Sequence, residues 1–176
     1  AFGPSSAGRS AIMETLAAAG DLGGGEGADP DFVPDVYMQD AETLQIGSHE
    51  ITALHTPGHF GNHMCFAWRD VLFSGDHIMG WSSTLVSPPD GDLTDFMASC
   101  ERLLERDDRR YFPGHGAPVE DPKDRVTWLI SHRRARETQI LGAFSAGPSN
   151  AEEITKRVYT DVAEHLWPAA ARNVLA

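Results

Sequence analysis

Apolar positions recur along this chain at two spacings, and the change between them predicts its elements. From Thr43 to Phe73 they fall in short runs, Glu50 to Leu54, His63 to Trp68 and Val71 to Phe73, punctuated by Gly, Pro, Asn and Asp, which reads as strands. Arg69-Asp70 between the last two runs predicts a tight hairpin. Nearer the start, Ile12, Leu16 and Ala19 lie at helical spacing within Ser5 to Ala19, and Gly20 stands where a helix would stop. The glycine-rich stretch Asp21 to Asp31 (DLGGGEGADPD) has too few apolar groups to pack and is a loop. It is no phosphate cradle, because neither the preceding strand nor the following helix is evident. Helical spacing returns at Phe96, Met97, Cys100, Leu103 and Leu104, with Asp92 or Thr94 as the cap. A further strand, Arg110 to Phe112, runs straight into Pro113-Gly114-His115-Gly116.

Beyond residue 122 the pattern is helical. Val126, Leu129, Ile130, Ile140, Leu141 and Phe144 form an apolar stripe ended by Gly147-Pro148, and Ser149 to Glu152 has the spacing of a capping box. A last helix, Val162 to Leu175, is expected to break or kink near Pro168. Charge divides the chain at the same place. Residues 1–122 hold 6 Lys+Arg against 20 Asp+Glu, whereas 123–176 hold 8 against 6. Two modules are expected, 1–122 and a small helical, winged-helix-like 123–176. The acidic body repels polyanions at long range, so nucleic acid would have to meet the tail or a local groove.

A chain of 176 residues with 41% hydrophobic and 23% charged side chains can bury a core, which excludes disorder, collagen and a disulfide scaffold. No apolar run is long enough for a bilayer, the start lacks a signal-peptide layout, and Cys65 and Cys100 form no Cys-x-x-Cys pair. The expectation is a protein with no membrane partner, in a reducing, cytoplasmic compartment.

One small pattern recurs three times: a short apolar strand, a Gly-containing turn, and a metal-competent side chain. It places His59 in HTPGH, Asp76 in FSGD and His115 in FPGHG. Strand ends on one rim of a sheet let ligands converge, and two imidazoles with a carboxylate suit Zn²⁺ with an open position or an Fe(II) facial triad. His55, His59 and His63 have the spacing of one helix face, but Pro57-Gly58 between them rejects a helix, so His59 sits on a loop.

HTPGH followed by His63, the strand ending in SGD and the late PGHG, in this order, resemble the second half of the metallo-β-lactamase fold. The run FSGDHIMG, then SPPDGDLTDFMASCERLL, then YFPGHGAPVEDPKDRVTWLISHRRARETQIL is similar to the branch of lactamase-β-like hydrolases with a C-terminal winged helix, which includes a mitochondrial endoribonuclease. The resemblance implies an α/β fold: an αββα sandwich, present as its C-terminal portion, followed by the helical module. It implies two divalent metal ions, with His59 a ligand of the first, Asp76 bridging both and His115 a ligand of the second. Zn²⁺ is the expected ion, Fe and Mn the alternatives. The family's first-half motif, His-x-His-x-Asp-His, is not in this sequence, and the chain stops before the usual wing, so it is expected to hold three of seven ligands with both ends missing.

The implied mechanism is attack by a metal-held hydroxide on a carbonyl or phosphorus centre. His63 is read as orienting a ligand, His77 as structural because it should point away from Asp76, and His132 as a surface or packing residue. The long segment Ile78 to Asp92, with Trp81 and Leu85, either walls the substrate pocket or packs over the sheet edge. Cys65 and Cys100 are expected to be buried. Three functions compete: a hydrolase of a small ester, thioester or amide; an endoribonuclease, suggested by Arg133, Arg134, Arg136, Lys156 and Arg157; and an inactive interaction module that leaves an apolar face exposed.

Overall fold

The computed structural model describes residues 11–18, 31–145, 147 and 149–176. Helix α1 covers Ala11–Ala18. The remainder of the expected first helix, its Gly20 stop and the loop over residues 21–30 lie outside the described residues.

Five strands follow the runs in the sequence: β1 Thr43–Ile46, β2 His49–His55, β3 Met64–Trp68, β4 Val71–Gly75 and β5 Arg110–Pro113. They form one sheet in the order β1-β2-β3-β4-β5, with antiparallel neighbours except for the parallel pair β4–β5. The predicted hairpin forms at Arg69-Asp70. Trp68 pairs with Val71, and Arg69 has a φ of 55°, the left-handed value a two-residue turn of this hand requires. The parallel pair needs a crossover, which the chain makes through residues 76–92 and helix α2, Leu93–Leu104. Of the two candidate caps the structure uses Asp92, whose carboxylate accepts from the amides of Thr94 and Asp95.

Alternation sets the core. Leu54, Cys65, Leu72 and Tyr111 share one face of the sheet and meet Phe96, Cys100 and Leu103 of α2 and Val126, Leu129 and Ile130 of α3, Pro122–Phe144. The opposite face carries the stacked rings of Phe73 and Phe112, 5.7 Å apart, with Phe73 42% exposed. Both cysteines are free and fully buried, as their apolar neighbours in sequence imply.

The tail departs from its pattern at two points. The apolar stripe of α3 is buried at Val126, Leu129 and Ile130, where it joins the core with α2, whereas Leu141 and Phe144 are exposed although α4 also packs on this helix. Helix α4, Ala151–Val158, is capped by Asn150, which accepts from the Glu153 amide, one residue later than the Ser149–Glu152 box. The break expected near Pro168 is present, and the proline opens the helix that follows it. After a 3₁₀ turn at Glu164–Leu166, α5 spans Trp167–Leu175 with proline in its first turn, where a missing N–H costs nothing. No helix among the described residues is long and apolar enough to cross a membrane.

Candidate metal centre

The three strand-end turns meet at Asp76. β2 ends at His55, and residues 56–63 fold into a closed loop whose ends are joined by the Thr56 amide donating to the His63 carbonyl at 3.0 Å. Gly58 lets this loop lie on α2. Its φ is 138°, and a Cβ there would stand 2.3 Å from the Phe96 Cα. Asp92 adds a bond from its amide to the Gly58 carbonyl, 2.9 Å. The loop delivers His59, 8% exposed. Its Nδ1 is 2.8 Å from the carbonyl oxygen of Leu85. A carbonyl only accepts, so Nδ1 carries the proton and Nε2 is the basic nitrogen.

β4 ends at Gly75 in a bulged register, and Asp76 follows at the rim. The Gly114 amide donates to the Gly75 carbonyl at 2.8 Å, clamping the turn after β5 onto the turn after β4. A Cβ on Gly114 would stand 2.7 Å from Asp76 Oδ1, so only glycine lets the two turns close this tightly. His59 Nε2 lies 4.0 Å from Asp76 Oδ2, and His115 Nε2 lies 3.7 Å from Oδ1. The carboxylate thus turns one oxygen to each imidazole. Exposure falls across the trio, with side-chain values of 72% for His115, 22% for Asp76 and 10% for His59.

Asp76 Oδ1 is buried and has no hydrogen-bond partner among the described residues, an expensive state for a carboxylate oxygen unless something positive meets it. Neutral imidazole nitrogens around a carboxylate are also a proper donor set for a divalent cation. No group of three or more His, Cys, Asp or Glu among the described residues is arranged to hold an ion by itself. The donors are instead two pairs sharing one carboxylate. That suits part of a bridged centre in kind and leaves it incomplete in number.

The other histidines stand behind this rim. His63 is buried, its Nδ1 2.9 Å from Thr56 Oγ1, with its ring centre 6.4 Å from that of His59. One donor order satisfies the whole row: His63 Nδ1 to Thr56 Oγ1, Thr56 hydroxyl to Cys65 Sγ, and Cys65 thiol to the Ser74 carbonyl. Burial, with His59 and His55 nearby, lowers the His63 pKa to about 3, so the ring is neutral. Gly75 is glycine for its sake, since a Cβ would stand 2.7 Å from His63 Nε2. His77 points away from the rim into the core, against Phe96 at 4.5 Å and Cys100 Sγ at 3.7 Å, and burial keeps it neutral. His132 stacks on Trp128 at 4.9 Å on the α3 surface.

The group that orients His59 most directly, the Leu85 carbonyl, has no signal in the sequence, because every residue carries that oxygen. The segment Ile78 to Asp92 therefore does two things. Val86 enters the core, and the Leu85 carbonyl holds His59 on its loop. Trp81, by contrast, does not pack over the sheet edge. It is 71% exposed and lies so close to the turn after β5 that a Cβ on Gly116 would stand 2.6 Å from its Cδ1.

Comparison with known proteins gives the family of this fold. Residues 5–115 match the model of the metallo-beta-lactamase superfamily, and residues 151–176 match the beta-lactamase associated winged helix domain. A beta-lactamase-like protein 2 homolog of Drosophila melanogaster is 40% identical over 128 residues, 70% of this chain and 42% of that protein. An atrochrysone carboxyl ACP thioesterase of Aspergillus fumigatus is 28% identical over 165 residues, 82% of this chain and 51% of that one. A solved metallo-beta-lactamase family protein from Thermus thermophilus superimposes with a TM-score of 0.71 at 26% identity, covering 97% of this chain and 53% of its own. The chain thus spans about half or less of the curated relatives it matches. With its α/β sheet and winged-helix tail, the chain belongs to the metallo-beta-lactamase superfamily.

Proposed function

We propose that the protein is a metal-dependent hydrolase of a small acyl substrate, an ester, amide or, by preference, a thioester. His59, Asp76 and His115 would be this chain's ligands to a divalent pair, with Zn²⁺ the favoured ion. The observation that carries the reading is the Asp76 carboxylate, with one oxygen toward each imidazole and one of them buried without a partner. A divalent pair, when bound, supplies Lewis acidity and an acidified water near neutral pH. The chain's own residues do the rest. Leu85 holds His59 in the tautomer whose Nε2 faces Asp76, the Gly75–Gly114 clamp holds the carboxylate beside His115, and exposed His115 and Trp81 form the side from which substrate enters.

Thioester is preferred because relatives from several fungi are named ACP thioesterases. The endoribonuclease reading loses support at the tail. Arg133 is buried, Arg134 pairs with Glu101 at 2.7 Å, and Arg136 pairs with Asp161 at 3.1 Å beneath the Tyr159 ring, so three of the five cations invoked for RNA are already engaged.

The test is hydrolysis of an acyl thioester by the intact protein, read with its Zn²⁺ content. Turnover that is lost with a chelator, restored by Zn²⁺ and reduced at least about 100-fold in Asp76→Asn is expected. Cleavage of single-stranded RNA with inert thioesters would favour the nuclease instead.

A further inference from the structure

The C-terminal helices reach the metal rim through backbone rather than through side chains at the site. Residues 79–88 form a strap between the rim and the tail, and three arginines of α3 and α5 donate to it. Arg125 donates from Nε to the Met79 carbonyl at 2.6 Å and from Nη2 to that of Ser82 at 2.5 Å. Arg133 lies 5.4 Å over the Phe96 ring and donates from Nη2 to the Thr84 carbonyl. From α5, Arg172 donates to Ser87 Oγ at 2.7 Å and to the Pro88 carbonyl. Asn173 does the joining. Its Oδ1 accepts from Arg133 Nη1 at 2.9 Å and from the Val86 amide at 3.3 Å, using both lone pairs.

On its inner side the same strap touches two of the three ligands. Thr84 Oγ1 is 2.6 Å from the Asp76 carbonyl, and the Leu85 carbonyl accepts from His59 Nδ1 at 2.8 Å. Leu85 sits between the two anchors that Asn173 joins, Thr84 held by Arg133 and Val86 held by Asn173 itself. Arg133 is only 7% exposed, its hydrogen-bond partners are neutral oxygens, and its Nε has no partner among the described residues. A guanidinium buried in this way costs stability. What it secures is the path of the strap.

We propose that Asn173, acting with Arg133 and Arg172, is a positioning residue for the metal centre: the last helix sets the His59 imidazole by fixing the backbone of Thr84–Val86. Outer hydrogen bonds of this kind orient a ligand and select its tautomer, and their loss weakens metal binding. The proposal rests on the metal-centre reading, and its test separates the two.

The experiment uses the intact protein and two readouts. Long-range proton–nitrogen correlation of the histidines reports which His59 nitrogen carries the proton, and competition with a chromogenic chelator reports Zn²⁺ affinity. The wild type shows the Nδ1–H form. Asn173→Leu removes the shared acceptor, and the expected result is a mixture of tautomers with Zn²⁺ affinity lower by about 10- to 100-fold. Asn173→Asp keeps an oxygen acceptor and restores both. A lower melting temperature in Asn173→Leu with tautomer and affinity unchanged means a merely structural role and overturns the proposal. Failure of Asn173→Asp to restore them overturns it equally. Should Asn173→Leu not fold, Arg172→Gln, which loosens the strap at Ser87 and Pro88, carries the same two expectations. A wild type that takes up no Zn²⁺ refutes the metal reading alone, since the His59 tautomer still answers for the strap.

Discussion

Gly114 passes directly over Asp76: its amide is bonded to the residue before the aspartate, and a Cβ on it would come within 2.7 Å of Asp76 Oδ1. The contact is with a side-chain oxygen, so Gly114→Ala forces the carboxylate to rotate rather than the sheet to open. Zn²⁺ uptake and hydrolysis are expected to fall at least about tenfold, while the melting temperature moves by only a few degrees, about 1 kcal/mol of stability or less. A large thermal loss with normal Zn²⁺ uptake would show that the glycine serves the fold and not the carboxylate.

Gly58 makes the contrasting case. Here the clash is with backbone, 2.3 Å from the Phe96 Cα, and φ is 138°, so neither partner can yield. Gly58→Ala is expected to cost about 3 kcal/mol, the sum of overpacking and left-handed strain, read as a shift of the urea midpoint at unchanged slope. A shift under about 0.5 kcal/mol would contradict the packing of this loop on α2.

The two thiols supply a pH prediction. Burial pushes both Cys65 and Cys100 up to about 12 from an ordinary value of 9.0. The unfolded chain loses these protons near pH 9 while the folded chain keeps them. Stability from this source is complete below pH 9 and falls between there and about 12, by about 1.4 kcal/mol per pH unit for each thiol. Under native conditions at pH 8, Ellman's reagent should label neither cysteine, and in denaturant it should label both. Rapid native labelling would show that one of them is open to solvent.

Trp81 is a large ring left exposed beside the turn that carries His115. Substrate with an apolar acyl chain is expected to pack on it. Trp81→Ala should therefore raise KM about tenfold, near 1.4 kcal/mol of binding, with kcat little changed. A fall in kcat at constant KM would instead assign the ring to holding the His115 turn.

Much of the strand-end geometry was legible before the fold, because it is local. A short apolar run, a glycine and a ligand-type side chain describe β2 into His59, β4 into Asp76 and β5 into His115, and such patterns depend on neighbours only a few residues away. The Arg69-Asp70 hairpin belongs to the same class, as does the helix start at Asp92 or Thr94, between which only the structure chooses Asp92. The tail was less legible. Ser149 and Asn150 are both good caps, and only the path of the chain picks Asn150; Leu141 and Phe144 continue an apolar stripe in the sequence yet stand exposed. Arg133 sits in the basic run His132-Arg133-Arg134-Ala135-Arg136 with nothing in the sequence to single it out, yet it is the one that is buried.

Side-chain type and short-range spacing are enough to say which residues lie at strand ends, which glycines permit the turns there, and what chemistry two imidazoles and a carboxylate offer. Tertiary structure alone decided that each Asp76 oxygen faces a different imidazole, that His59 carries its proton on Nδ1, and that a strap held by Arg133 and Asn173 is what imposes it. The physical reason is that these choices are made by backbone carbonyls and by the meeting of distant segments, Leu85 with His59 and Asn173 with Val86. A carbonyl is the same in every residue, and only the folded path says where it points.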